Sequence, residues 1–325
     1  MLVCPVCHRD LEWDITERNN DRIESGVTHC HECAADYPIQ EGIGLFLTPD
    51  LRRDDLWEQV DSNLMQHLNQ HPEVESRLMD TPAGEVTPAD LFFRALALEE
   101  RGDFEGARVT EKLADKGIYT SEFRACAQSQ IGYVVEQLSK SSEVIVDLAS
   151  GRGYLVEELA RNLENLIVAT DFSPRVLRRD RNYLEHFGLY DRVSLLAFDA
   201  RLTPFRDKSV QTLTTNLGLP NIEHPAKLLP ELRRIVAGSF LAVSHFYPED
   251  DDINARALQE FGLDSLLYRR SALSHFSSAG WQVKIANSCT GTAQPTPKGV
   301  ILEGAGIDGF PGAETTLEWC VLNAH

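Results

Sequence analysis

Four cysteines open the chain in two pairs, Cys4-Pro5-Val6-Cys7 and Cys30-His31-Glu32-Cys33, with 22 residues between them. Two intervening residues let both sulfurs of a pair reach one ion. Two such pairs supply four thiolates, a tetrahedral set suited to zinc. A closed set leaves no open position for chemistry, so the ion would be a structural staple for a segment too small to bury a comfortable core. His8, His29 and His31 lie beside the pairs and read as solvent-facing or hydrogen-bonded rather than as ligands. The N-terminus, MLVCPVCHRD, has no apolar signal-type stretch, which disfavours disulfides and points to the cytosol.

A second constellation lies at "VIVDLASGRGYL" (144–155). An apolar run ends on Asp147, passes through Ala149 and Ser150, turns at Gly151 and Gly153, and enters a helical pattern. Glycines there let the backbone approach a ligand closely. Two later runs also end on acids, "LIVATD" at Asp171 and "VSLLAFD" at Asp199. Asp171 follows the glycines by about 20 residues, the place from which an acid accepts both ribose hydroxyls. A pyrophosphate would ask for a third glycine where Val156 stands. An acid before the turn suits a cationic group instead. S-adenosylmethionine, with a sulfonium, an ammonium and no phosphate, is favoured over a dinucleotide.

These residues need a scaffold, and the pattern around them supplies one. Strand-like runs at 144–148, 166–170, 193–198, 210–216 and 239–245 alternate with helical patterns at 154–163, 174–187 and 226–236. Two further strand-like runs, 281–287 and 316–322, close the chain. The alternation predicts an α/β, Rossmann-like, doubly wound and mostly parallel seven-stranded sheet. Ligands in such sheets sit beyond the carboxyl ends of the strands. Residues 1–48 form a small zinc ribbon in this reading. Residues 49–117 form a helical connector that covers the cleft, and 118–325 form the catalytic domain. Thr87-Pro88-Ala89-Asp90 marks a helix start. Leu91, Phe92, Ala95, Leu96 and Leu98 mark a buried face, and 123–138 reads as another helix.

Two resemblances sharpen this. "CPVCHRDLEW…HCHECAADYPIQEGIGLFL" resembles a small zinc-ribbon family that ends in an aromatic-Pro-Ile, here Tyr37-Pro38-Ile39, and an apolar strand, here Ile43 to Leu47. Its members occur alone, as activators of methyltransferases or fused to them. "DLASGRGYL" resembles motif I of class I S-adenosylmethionine-dependent methyltransferases, D/E-x-G-x-G-x-G. Asp147, Gly151 and Gly153 match it, and Ala149 replaces the first glycine. The resemblance, covering 118–325, implies that Asp171 holds the ribose and Phe172 flanks the adenine. It turns Asp199-Ala200 toward the adenine amino group, and it sets Asn216, Leu217 and Gly218 of "VQTLTTNLGLPNI" beside the methyl group.

The acceptor is less legible. Methyl transfer is an in-line displacement governed by positioning, and a base is needed only if the acceptor must lose a proton. His245, in "FLAVSHFYPEDDD", is the candidate base at the carboxyl edge of the sheet, with His224 and Tyr119 behind it. A hydrogen-bonded histidine is the competing reading. Arg175, Arg178, Arg179 and Arg181 read as a solvated helix, and Cys126, Cys289 and Cys320 as isolated buried thiols. The net charge of −19 disfavours a nucleic-acid partner, and no apolar run is long enough for a membrane span. A small-molecule methyl acceptor is favoured. A ribosomal RNA (guanine-N1) methyltransferase with the same ribbon-first order is the first alternative. A non-enzymatic ribbon scaffold with a cofactor-sensing domain is the second.

Overall fold

Turn residues cut the first 48 residues into four strands, β1 (Glu12–Asn19), β2 (Arg22–Cys30), β3 (Ala35–Gln40) and β4 (Ile43–Phe46). Glu41 and Gly42, with φ of 52° and 70°, make the two-residue turn between β3 and β4, a conformation whose twist matches that of paired strands. The computed structural model describes residues 1–48, 56–307 and 310–325. Residues 49–55, the start of the expected connector, lie outside the described residues.

Five helices follow, α1 (Leu56–Gln70), α2 (Pro72–Asp80), α3 (Pro88–Glu100), α4 (Phe104–Ile118) and α5 (Ser121–Leu138). The last three start on side-chain caps. The oxygens of Thr87, Asp103 and Thr120 accept from the backbone N–H of Asp90, Gly106 and Phe123, satisfying donors that a helix start leaves orphaned. The alternating segment is β5 (Ile145–Asp147), α6 (Tyr154–Asn162), β6 (Ile167–Asp171), α7 (Pro174–His186), β7 (Val193–Phe198), β8 (Val210–Asn216), α8 (Pro225–Ile235) and β9 (Val236–Phe246). Three helices that the alternation did not disclose come next, α9 (Asp252–Glu260), α10 (Asp264–Leu267) and α11 (Arg269–Ser278), before β10 (Val283–Ala293) and β11 (Thr315–Ala324). Among the described residues no helix is long and apolar enough to cross a membrane.

The seven expected strands run β7-β6-β5-β8-β9-β11-β10. The first five are parallel, and β11 is antiparallel to both β9 and β10. The count of seven needs correction, because the ribbon is not a separate sheet. β4 pairs in parallel with β7, from Ile43↔Leu195 to Phe46↔Phe198, and β1 to β4 extend the sheet to eleven strands. The physical reason is an open edge. β7 would otherwise present unpaired backbone, and the apolar run at β4 buries Ile43 and Phe46 on opposite faces against it. Arg22 fixes the junction. Its guanidinium donates to the carbonyls of Val193 (2.7 Å) and Tyr190 (2.8 Å) and lies 3.8 Å over the Tyr190 ring.

Two cores fill the faces of the sheet. One packs Phe46, Phe198, Leu213 and Phe240 under α8 and α11, and the other packs Ile43, Leu195, Leu241 and Trp319 under α5, α6 and α7. A third core lies off the sheet, where Leu64, Leu68, Leu78, Phe92, Phe93, Leu96 and Ile118 of α1 to α4 close on Leu302. Asp90, fully buried, ties that segment down by accepting from the N–H groups of Val300 (2.9 Å), Ile301 (3.1 Å) and Leu302 (3.0 Å).

Because β4 is a strand of the main sheet, the ribbon should not melt as a separate unit. If the four cysteines hold an ion, removing it with a chelator should shift one calorimetric transition to lower temperature as a whole. Two resolved transitions would show an independent ribbon.

Candidate functional site

The sulfurs of Cys4, Cys7, Cys30 and Cys33 all lie within 4.8 Å of one another. A tetrahedral zinc with bonds of ~2.3 Å needs sulfurs about 3.8 Å apart, so this donor set fits the ion. Cys4 and Cys30 are buried, and Tyr37 Oη stands 3.3 Å from Cys4 Sγ. The flanking histidines turn elsewhere, His29 to Asp36 (2.7 Å) and His31 to Glu12.

At the carboxyl ends of β5 and β6 the chain folds into the predicted turn. Ser150 N–H donates to the Thr170 carbonyl (2.8 Å), and Ser150 Oγ accepts from Thr170 N–H (3.1 Å), pinning the turn to β6. Ala149, Gly151 and Gly153 all have positive φ, at 52°, 55° and 71°. At Gly151 a Cβ would meet nothing nearer than the Ala149 carbonyl oxygen at 3.9 Å, so open space lies against the backbone. Asp171 faces the same point. One carboxylate oxygen accepts from Gly151 N–H (3.0 Å) and the other from Ser173 N–H (3.0 Å). Phe172 beside it is half-buried.

The end of β8 closes against this turn. Leu217, like Ala149, is a non-glycine residue held at positive φ (58°), and its N–H donates to the Val243 carbonyl (3.1 Å). Left-handed backbone at such residues persists only where its surroundings enforce it. Here the enforcement is contact, for a Cβ on Gly218 would fall 2.8 Å from Ala149 Cβ. Asn216 and Leu217 are thus brought beside the Gly151 turn. Asp147 is almost fully buried. Burial pushes its carboxyl up to about 7, although Thr214 Oγ1 donates to it at 2.7 Å.

Two expectations change. Asp199 does not present an open carboxylate, because Arg201 grips it with two parallel bonds of 2.9 Å. Ala200 next to it is buried. The arginines of α7 are not a solvated row. Arg175 pairs with Glu100 (3.2 Å), Arg178 with Glu41 and Arg181 with Glu24 (3.1 Å). Arg179 is buried, donates to the Gly151 carbonyl (2.9 Å) and pairs with Asp180 (3.3 Å).

Sequence reasoning missed Arg152, the residue between the two glycines. Its side chain is 6% exposed and reaches Glu99 of α3 (2.9 Å) and Glu111 of α4 (2.7 Å), with Tyr154 Oη 3.0 Å from Nε. The helical connector is therefore clamped onto the turn. No local signal marks this, since the partners lie 53 and 41 residues upstream.

His245 ends the sheet on the α5 side. It is opposite Trp319, with ring centroids 5.0 Å apart, and Tyr247 lies 5.9 Å away. Its Nδ1 is buried without a hydrogen-bond partner, and burial pulls the imidazole down to about 4, so it is neutral at physiological pH. Tyr119 stacks on Phe123 (4.7 Å), which meets Trp319 edge-on (4.9 Å). His224 is elsewhere, exposed at the start of α8.

Residues 145–238 match the family described as "Methyltransferase domain". The matched segment runs from β5 to the start of β9, 94 of the chain's 325 residues. A ubiquinone/menaquinone biosynthesis C-methyltransferase, UbiE, of Methylococcus capsulatus is 28% identical over 121 residues, 36% of this chain and 49% of that protein. A demethylmenaquinone methyltransferase of Thermus thermophilus is 36% identical over 115 residues, 34% of this chain and 50% of that protein. The chain thus spans about half the length of the relatives it matches. Among solved structures, the YcgJ protein of Bacillus subtilis aligns with a TM-score of 0.48 at 15% identity, covering 61% of this chain and 97% of that one.

Two outcomes follow from the charges around the turn. Arg152→Ala would strand two poorly exposed carboxylates and should cost about 3–5 kcal/mol in denaturant unfolding; a loss below ~1 kcal/mol would remove the clamp from this account. Burial also pushes the Asp180 carboxyl up to about 7, against the pull of Arg179, from an ordinary 3.8. A raised folded value means the folded state holds the proton more tightly. That contribution is present at low pH and is lost as pH rises through about 7. Relative to the parent, Asp180→Asn should therefore gain about 2–4 °C in Tm between about pH 5 and about pH 8. An unchanged difference would mean that Asp180 is already ionised at the lower pH.

Proposed function

We propose that this chain transfers a methyl group from S-adenosylmethionine to a small-molecule acceptor. The observation that carries this reading is the meeting of the Asp171 carboxylate with Gly151 N–H, next to open space at the carboxyl edge of β5 and β6. When bound, the cofactor supplies an electrophilic methyl on a sulfonium. The chain's part is to hold and orient. In this reading Asp171 accepts the ribose hydroxyls, Phe172 flanks the adenine and the backbone of Ser150 to Gly153 lies against the ligand. Asp147 complements positive charge from below the turn. Asp199 with Ala200 borders the adenine, its carboxylate shared with Arg201. Asn216 and Leu217 line the side where the methyl is presented. Cys4, Cys7, Cys30 and Cys33 hold a structural zinc, and the organisation is a ribbon (1–48), a helical connector (49–117) and a catalytic domain (118–325).

A small acceptor is supported by the relatives' names, which place them in ubiquinone and menaquinone biosynthesis. It is supported also by the net charge of −19, which offers no general attraction for phosphate backbones. His245, neutral and set at the end of β9, is the group placed to accept a proton from an acceptor that must lose one.

Calorimetric titration with S-adenosylmethionine and, separately, NAD tests the cofactor. We expect heat from the first only, and Asp171→Ala should weaken it by about 1–3 kcal/mol through lost charge-assisted hydrogen bonds. Binding of NAD alone, or unchanged affinity in Asp171→Ala, would overturn the assignment.

A further inference from the structure

Cys126 of α5 and Cys289 of β10 are 163 positions apart in the chain, yet their Sγ atoms lie 2.6 Å from each other. That is about half an ångström beyond a disulfide bond. The meeting has a local cause. β10 pairs Ala286 with Val321 but Cys289 with Trp319, so it carries one extra residue between those pairs. Such a bulge reverses which face the following side chains take. It is held by Asn287, at φ 52°, whose side-chain amide donates to the Ser129 carbonyl (3.0 Å) and Gln130 Oε1 (3.1 Å). Gln130 in turn donates to the Asn287 carbonyl (2.9 Å) and to Cys289 Sγ (3.3 Å). Helix and strand are thus locked in the register that brings the two sulfurs together.

We propose that Cys126 and Cys289 are a reversible thiol–disulfide site, oxidised by low-molecular-weight disulfides of the glutathione type. The two residues differ in access, since Cys126 is 6% exposed while Cys289 is half-buried. Burial and the neighbouring Cys289 sulfur also push the Cys126 thiol up to about 12. Cys289 is therefore the entry point. It gives up its proton, and its sulfur attacks one sulfur of the small disulfide, which leaves as a thiolate and takes up that proton. Cys126 then loses its proton and displaces the second small thiol from the mixed disulfide. The protein sulfurs lose two electrons, and the small disulfide is reduced to two thiols. The new bond would tie α5 to β10 beside Trp319, against which Phe123 and His245 pack. The site does not depend on the identity of the cofactor or acceptor.

The full-length chain is incubated with excess glutathione disulfide, quenched in acid, alkylated under denaturing conditions and mapped by peptide mass, which separates this pair from the four ribbon cysteines. The Cys126 and Cys289 peptides should be recovered joined, and dithiothreitol should release them. Cys126→Ser should stop at a glutathione adduct on Cys289, and Cys289→Ser should leave Cys126 unmodified. Full alkylation of both residues in the treated parent, or a parent that stalls at the glutathione adduct, would overturn the proposal. Cys126→Ala provides the same trap if the serine variant does not fold.

Discussion

A buried guanidinium cannot be left without carboxylates, and the position of Arg152 makes this constraint govern the molecule. The residue sits between the two glycines of the turn after β5, yet its side chain is almost fully covered. Charge out of water is tolerated only when it is paired and hydrogen-bonded. Glu99 and Glu111 answer from α3 and α4, so the turn takes its shape only when the connector is in place. The connector is held in turn by Asp90, which gathers three N–H groups of the segment between β10 and β11. A chain of polar contacts therefore runs from the C-terminal strands through the connector to the first strand of the parallel sheet.

The opposite side of the site is braced in the same way by the ribbon. β4 continues the sheet past β7, and Arg22, Glu24 and Glu41 hold the strand end and α7. Helix α7 begins at Ser173, whose N–H already binds Asp171. The ribbon thus braces a helix whose N-cap residue hydrogen-bonds the acid at the end of β6. In this architecture the four-cysteine ribbon is the outer edge of the main sheet rather than an appended module.

What was legible in the sequence was whatever is decided locally. The period-two and helical patterns placed β5 to β8 and α5 to α8 to within about two residues, and the C-x-x-C pairs named all four sulfurs that converge. Asp171 and the Gly151 turn were readable because their spacing is that of one strand–helix–strand unit. What stayed hidden was decided by distant partners. β4 looks like the end of a ribbon until β7 is beside it. Arg152 looks variable until Glu99 and Glu111 arrive from upstream. The arginines of α7 look solvated because three of their partners lie on other elements. The Asp199–Arg201 pair stayed hidden for a different reason, since Arg201 is only two residues on and was passed over as a partner.

The same distinction separates the two histidine readings at the edge of the sheet. His245 Nδ1 is buried without a hydrogen-bond partner, which weighs against the hydrogen-bonded reading at that nitrogen. Burial keeps the ring neutral at physiological pH and lowers its basicity. Its neighbours are rings, Trp319 and Tyr247, with Phe123 and Tyr119 stacked beyond. Such surroundings disfavour the imidazolium, so proton acceptance there requires the new positive charge to be balanced by negative charge on the deprotonated acceptor. An acceptor that becomes anionic as it loses its proton, held against the ring, satisfies that condition. One that stays neutral does not, and for it His245 would be a packing residue only.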